Sequence, residues 1–190
     1  MLGTCLRIGV FAGAVFAITC PAPAQEIVHA LTGTVSGIDA SRQTITLFQD
    51  GGSKSTFKVM SPSGKRISFD KRVADDTVAA REFRKQGAYV ILFYFGINEN
   101  RTAVALQGLG NGPFSSITGE VKTFDRHDGA LTVVGKDGKQ HSFKLNDRTV
   151  AETYAGAVDG SEFHAERGAH VRVGSAMENG TPAARGRRQM

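Results

Sequence analysis

Residues 31–59 and 117–145 carry one pattern written twice. Leu31-Thr-Gly-Thr-Val-Ser-Gly-Ile-Asp39 aligns without a gap on Ile117-Thr-Gly-Glu-Val-Lys-Thr-Phe-Asp125. The same offset carries Thr46 onto Thr132, Gly52 onto Gly138, Phe57 onto Phe143 and Lys58 onto Lys144. A self-similar stretch of this length predicts two copies of one small unit, each burying its own apolar face. Glycines, turn residues and strand positions recur, so the repeat speaks to architecture and not to chemistry.

Each copy reads as three strands, a helix and two strands. In the first copy the strands fall at Leu31 to Ile38, Thr44 to Phe48 and Thr56 to Met60, with turns at Asp39 to Arg42 and Asp50 to Ser53. Asp75 to Gln86 opens with acids, closes with bases and stops at Gly87, which predicts a helix. Val90 to Phe95 is an apolar run of the kind a buried strand carries, and Thr102 to Gln107 follows. In the second copy Val121 to Phe124, Leu131 to Val134 and His141 to Leu145 are the first strands, and Thr149-Val-Ala-Glu152 has the spacing of a helix-opening capping box. Ala169 to Val173 is the fourth strand. Thr181-Pro-Ala-Ala-Arg185 makes a poor fifth, because proline lacks a ladder donor, and the tail Arg185-Gly-Arg-Arg188 reads as a mobile basic end.

This order predicts a mainly β protein of two tandem five-stranded OB-like barrels, each with a helix between strands 3 and 4; a small SH3-like barrel is the alternative. The divisions are a signal peptide at 1–24, a first barrel at 25–110, a linker at 111–116 around Pro113, and a second barrel at 117–190. The pattern Thr-Gly-x-Val-x-x-x-Asp, a Thr-bearing strand, a Gly turn, Phe-Lys and then Gly-Ala-x-Val resembles exported bacterial OB-like domains of unknown function, found singly or in tandem. That resemblance implies a fold and an envelope location, and it supplies no catalytic residues.

The leader is read from the residues themselves. Arg7 is its one charge, Ile8 to Ile18 is apolar, and Ala22-Pro-Ala24 is a small-residue cleavage site, the layout of a secretory signal peptide. The apolar run is shorter than the about 20 residues that span a bilayer, and no transmembrane segment is expected in the mature chain. Cleavage after Ala24 predicts a periplasmic or extracellular protein beginning at Gln25. Ala17-Ile-Thr-Cys20 is a poor lipidation site, since Thr19 stands where a smaller residue is usual. Both cysteines, Cys5 and Cys20, lie in the leader, which excludes a disulfide, a thiolate nucleophile or a Cys-ligated metal from the mature chain.

Charge narrows the partners. The chain has 23 Lys and Arg against 18 Asp and Glu, a net +5, and loss of Arg7 leaves +4. A basic exported chain favours anionic glycans, lipid surfaces or acidic proteins. Nucleic acid is not expected: the leader argues against it, and zero Trp with three Tyr leaves few stacking platforms. The densest basic segment, Ser61 to Arg72, is present in the first copy and missing from the second. Lys65, Arg66, Lys71 and Arg72 flank Phe69 there, and Arg81 and Arg84 follow, a composition able to grip phosphate, sulfate or uronate groups. The competing reading is a solvated hairpin whose Ile67 and Phe69 pack inward.

Catalytic templates fail. There is no nucleophile elbow, P-loop or paired-histidine zinc motif. Ser55-Thr-Phe-Lys58 matches Ser-x-x-Lys by letter, but residues three apart on a strand face opposite ways. His127 with Asp125 and Asp128 is the alternative, a weak metal-binding or enzymatic turn confined to one copy, against a solvated turn. No cofactor is expected. The sequence therefore predicts a non-enzymatic exported binding or scaffolding protein.

Overall fold

The structure, a computed structural model, describes residues 26–59, 77–146, 148–178 and 181–189. The leader and the basic segment with Lys65, Arg66, Phe69, Lys71 and Arg72 lie outside the described residues. Strands β1 (His29–Asp39), β2 (Thr44–Gln49), β3 (Lys54–Val59), β4 (Thr77–Ala79), β5 (Tyr89–Phe95) and β6 (Thr102–Gly110) build one sheet. Strands β7 (Ser115–Asp125), β8 (Ala130–Gly135), β9 (Gln140–Lys144), β10 (Val150–Thr153), β11 (Gly156–Asp159), β12 (His170–Glu178) and β13 (Thr181–Gln189) build a second. Their orders are β3-β2-β1-β5-β6-β4 and β11-β10-β13-β12-β7-β8-β9.

The expected pair of five-stranded OB-like barrels with a helix is not what forms, and the resemblance to such domains fails with it. The sheets have six and seven strands, and no α-helix occurs among the described residues. Where the helix was expected, Thr77–Ala79 is a strand paired with β6, followed by a single 3-10 turn at Ala80–Glu82. A segment this short gains little from an end-to-end charge gradient, because helix nucleation is costly. Thr149-Val-Ala-Glu152 does not cap a helix either. Val150–Thr153 is a strand, and the Glu152 carboxylate bonds across to the first sheet instead of back to its own turn. The last segment, expected to fray, is a nine-residue strand between β10 and β12. Its Pro182 stands near the strand start, ahead of the β10 pairing at Gly186, where a missing donor costs least.

The two halves agree only in part. The meanders β1-β2-β3 and β7-β8-β9 share register: Gly33 faces Gln49 and Gly119 faces Gly135, and each first strand has a bulge at the matching place, Val35/Gly37 and Val121/Thr123. A methyl group on Gly33 would overlap the Phe48 carbonyl, and one on Gly119 the Val134 carbonyl. That close approach of two backbones explains why Thr-Gly recurs. The Gly-Ala pairs recur for a second reason. Gly87 and Gly168 hold φ of +82° and +85°. From there Gly87 N and Ala88 O clasp Val35 at 2.8 and 2.9 Å, and Gly168 N with Ala169 O clasp Val121 at the same distances. Beyond the meanders the halves diverge: β4 runs antiparallel to β6, whereas β10 runs parallel to β13 and adds β11.

Three apolar clusters result. One holds Val35, Ile45, Leu47, Phe57, Phe83, Val90 and Leu92 inside the first sheet. A second holds Val121, Leu131, Phe143, Phe163 and Val171 inside the second. The third, with Val28, Ile91, Phe93, Ala105 and Val150, joins the sheets. The continuous apolar run of β5 follows, since Val90 and Leu92 face one layer while Ile91 and Phe93 face the other. Phe57 and Phe143 are both buried, at the one offset. Truncating either to Ala should cost about 3–5 kcal/mol by chemical denaturation. Wild-type stability in both variants would show that the shared register does not carry the packing.

Candidate functional site

Three concave regions hold the polar chemistry. The first lies between the β1–β2 turn and the 3-10 turn after β4, has a volume of about 230 Å³, and brings Arg81 and Arg84 together with Asp39. Arg84 is committed locally: its Nη1 donates to the carbonyls of Arg81 and Phe83 at 2.6 and 2.9 Å. Arg81 pairs with Glu82 at 3.3 Å. Asp39 accepts from the Ser41 hydroxyl and from the amides of Ser41 and Arg42, and these bonds hold its carboxyl below the usual range. Asp39 pairs with Arg42 at 3.8 Å, so three cations share two acids here, and Arg84 is engaged by backbone carbonyls.

The second region was not anticipated. Along β3, Lys54, Thr56 and Lys58 face solvent while Ser55 and Phe57 are buried, so Lys54 and Lys58 stand on one face. Their partners on β2 are Phe48, Thr46 and Thr44, and Phe48 is 49% exposed. A short parallel ladder between β3 and β6 pairs Lys58 with Thr102 and sets Arg101 beside it, with Lys58 N bonded to Arg101 O at 3.0 Å. Arg101 is held in place. Its guanidinium carbon lies 4.8 Å from the Phe57 ring centroid, and its Nε donates to Asn98 O at 2.9 Å. Lys54, Lys58 and Arg101 line an open groove of about 480 Å³ in which Glu99 is the single acid among the described residues. The sequence signal was the alternation Lys-x-Thr-x-Lys. Ser55 itself is buried and accepts from Gln49 Nε2 at 2.5 Å, away from Lys58, so no Ser–Lys dyad exists.

The third region is a cleft of about 210 Å³ where the sheets meet. Asp50 stands in it, accepting on one oxygen from the Thr32 hydroxyl at 2.7 Å and the Tyr89 hydroxyl at 2.6 Å. Arg172 Nη2 reaches Asp50 O and Ser116 Oγ, each at 3.3 Å. On the opposite side Glu152 bonds His29 Nδ1 and Ala30 N, both at 2.6 Å. Leu31, Ile91 and Val150 supply apolar lining.

The His127 turn is a local structure. Asp125 Oδ1 accepts the amides of His127 and Asp128 at 2.9 and 3.1 Å, the bonding Asp39 makes in the first half. No three His, Cys, Asp or Glu side chains converge among the described residues. His170 is exposed, with Glu120 at 3.7 Å.

Burial, and then the bond to Asp50, keep the Tyr89 phenol protonated far above its usual range. The unfolded chain releases that proton near pH ~10 while the folded chain retains it, so stability is complete below that value and falls as pH rises past it. Tyr89→Phe should cost about 1–2 kcal/mol at neutral pH and flatten the alkaline decline in denaturant unfolding. Parallel wild-type and variant profiles above pH ~10 would contradict this.

Comparison of the sequence with protein families and with curated proteins finds no match, so the functional argument rests on this geometry.

Proposed function

We propose that the chain is an exported, non-enzymatic binding protein whose β2–β3 face holds an anionic glycan of the bacterial envelope. The observation that carries this is the groove in which, among the described residues, Lys54, Lys58 and Arg101 face one acid, Glu99. Lys54 and Lys58 lie four residues apart on one strand, roughly 13 Å at ~3.3 Å per residue. That spacing exceeds a single small anion and suits an extended, repeatedly charged chain. Thr44 and Thr56 add hydroxyls to the groove, and Phe48 beside Lys54 offers a flat apolar surface to a sugar ring. Arginine and lysine bind carboxylate and sulfate through charge-assisted hydrogen bonds. A lipid headgroup would meet the same cations, and among the described residues Phe48 and Ile97 are the exposed large apolar side chains near the groove, fewer than membrane insertion calls for.

The leader-like residues 1–24 support export, and the mild positive charge supports an anionic partner. Lys65, Arg66, Phe69, Lys71 and Arg72 follow β3 in the sequence, outside the described residues, and add to the positive charge of the chain.

Titration calorimetry of the mature chain with an oligogalacturonate tests the reading. Affinity should fall with added salt, since exposed charges are screened beyond about 8–10 Å at moderate ionic strength. Lys54→Gln with Lys58→Gln should lower it at least ~10-fold, near 1.4 kcal/mol, with the melting temperature unchanged. Adding Arg101→Gln should lower it further. Equal binding by the double variant, or binding to anionic vesicles in preference to the oligosaccharide, would overturn the proposal.

A further inference from the structure

The cleft between the sheets contains two opposite charges that do not meet. Among the described residues the Asp50 carboxylate makes no ion pair, and its Oδ1 has no hydrogen-bond partner, since Thr32 and Tyr89 both donate to Oδ2. Among the described residues Arg172 makes no ion pair with a carboxylate. Its bonds go to two neutral oxygens, both at the long end, 3.3 Å. Yet the guanidinium touches the backbone of Asp50 itself, so the two groups are neighbours held apart. Rotating Asp50 toward Arg172 would break its bonds from Thr32 and Tyr89, and Tyr89 is fixed by Phe114, whose ring meets it edge-on with centroids 5.0 Å apart. Charges partly withdrawn from water and left unpaired are costly unless something completes them.

We propose that this cleft binds a small zwitterion, a free α-amino acid with an apolar side chain. The carboxylate of the ligand sits on Arg172 and the Ser116 hydroxyl. Its ammonium sits on the open oxygen of Asp50, with Glu152 as a second negative wall. Leu31, Ile91 and Val150 receive the side chain. The volume, about 210 Å³, falls below that of pockets for drug-sized ligands, which begin near 300 Å³, and suits a molecule of this size. Asp50 lies in the β2–β3 turn of the first sheet and Arg172 on β12 of the second, so the ligand would bridge the two. The site is separate from the groove of Lys54, Lys58 and Arg101 and shares no lining residue with it.

Calorimetry with the mature chain and L-valine tests this, with N-acetyl-L-valine and L-valinamide as probes that each keep one charge. L-Valine should bind with saturation, and each single-charge probe should bind at least tenfold more weakly. Arg172→Gln should reduce L-valine binding at least tenfold while circular dichroism shows the wild-type fold. Asp50→Asn should do the same if it folds, and Ser116→Ala provides a milder variant that leaves the Tyr89 contacts intact. Lys54→Gln with Lys58→Gln should leave L-valine binding unchanged, which separates this site from the glycan groove. No saturable binding of L-valine, equal binding of either single-charge probe, or undiminished binding by Arg172→Gln would each overturn the proposal.

Discussion

The grip of Glu152 on the start of β1 sets how the molecule is put together. One carboxylate takes the ring of His29 and the amide of Ala30, both at 2.6 Å, and Ala157 N bonds Val28 O at 2.7 Å one strand away. These bonds lay residues 28–30 across the β10–β11 hairpin. Behind them Val28, Ile91, Phe93, Ala105 and Val150 close an apolar seam. A carboxylate this sheltered, 13% exposed, is tolerable because each of its oxygens has a donor. The seam then explains other features: β5 is apolar on both sides, β10 is extended and not helical, and a cleft remains where the apolar contact ends.

The meanders were legible in the sequence because their rules are local. Asp39 and Asp125 bond the amides just ahead of them, and Gly33 and Gly119 admit a crossing backbone. Alternation fixed which side of β3 is buried, so Phe57 and Phe143 could be placed inward. The helices were illegible for the opposite reason. Thr77–Ala79 and Val150–Thr153 have helix-compatible residues, and what makes them strands is pairing with β6 and with β11 and β13, partners distant in sequence or read as another element. Tertiary pairing overrides weak propensity in such short segments. The same blindness applied to strand number and to the last strand, whose Pro182 and small residues argued against pairing.

Site residues divide along the same line. Arg81 and Arg84 stood out as part of a cationic run; Arg84 bonds two neighbouring carbonyls and Arg81 pairs with the adjacent Glu82. Lys54, Lys58 and Arg101 form no run at all. They converge because β3 ends beside the start of β6, a parallel contact that no local pattern announces. Asp50 and Arg172 are farther apart still and become neighbours only because the seam brings the sheets together. The outer groove is open, so an anion there would be attracted over a long range and with sensitivity to salt, whereas a ligand in the more sheltered cleft would rely on matched hydrogen bonds.

The central proposal is that the β2–β3 hairpin presents an anion-binding face. The direct measurement is an amide chemical-shift titration of the isotope-labelled mature chain with an oligogalacturonate. The account predicts that the largest shifts fall at Thr44, Thr46, Lys54, Thr56, Lys58 and Arg101, saturate together, and leave Thr32, Asp50 and Arg172 at their starting positions. Saturable shifts confined to another surface, or no shifts at all at concentrations that saturate binding, would contradict it.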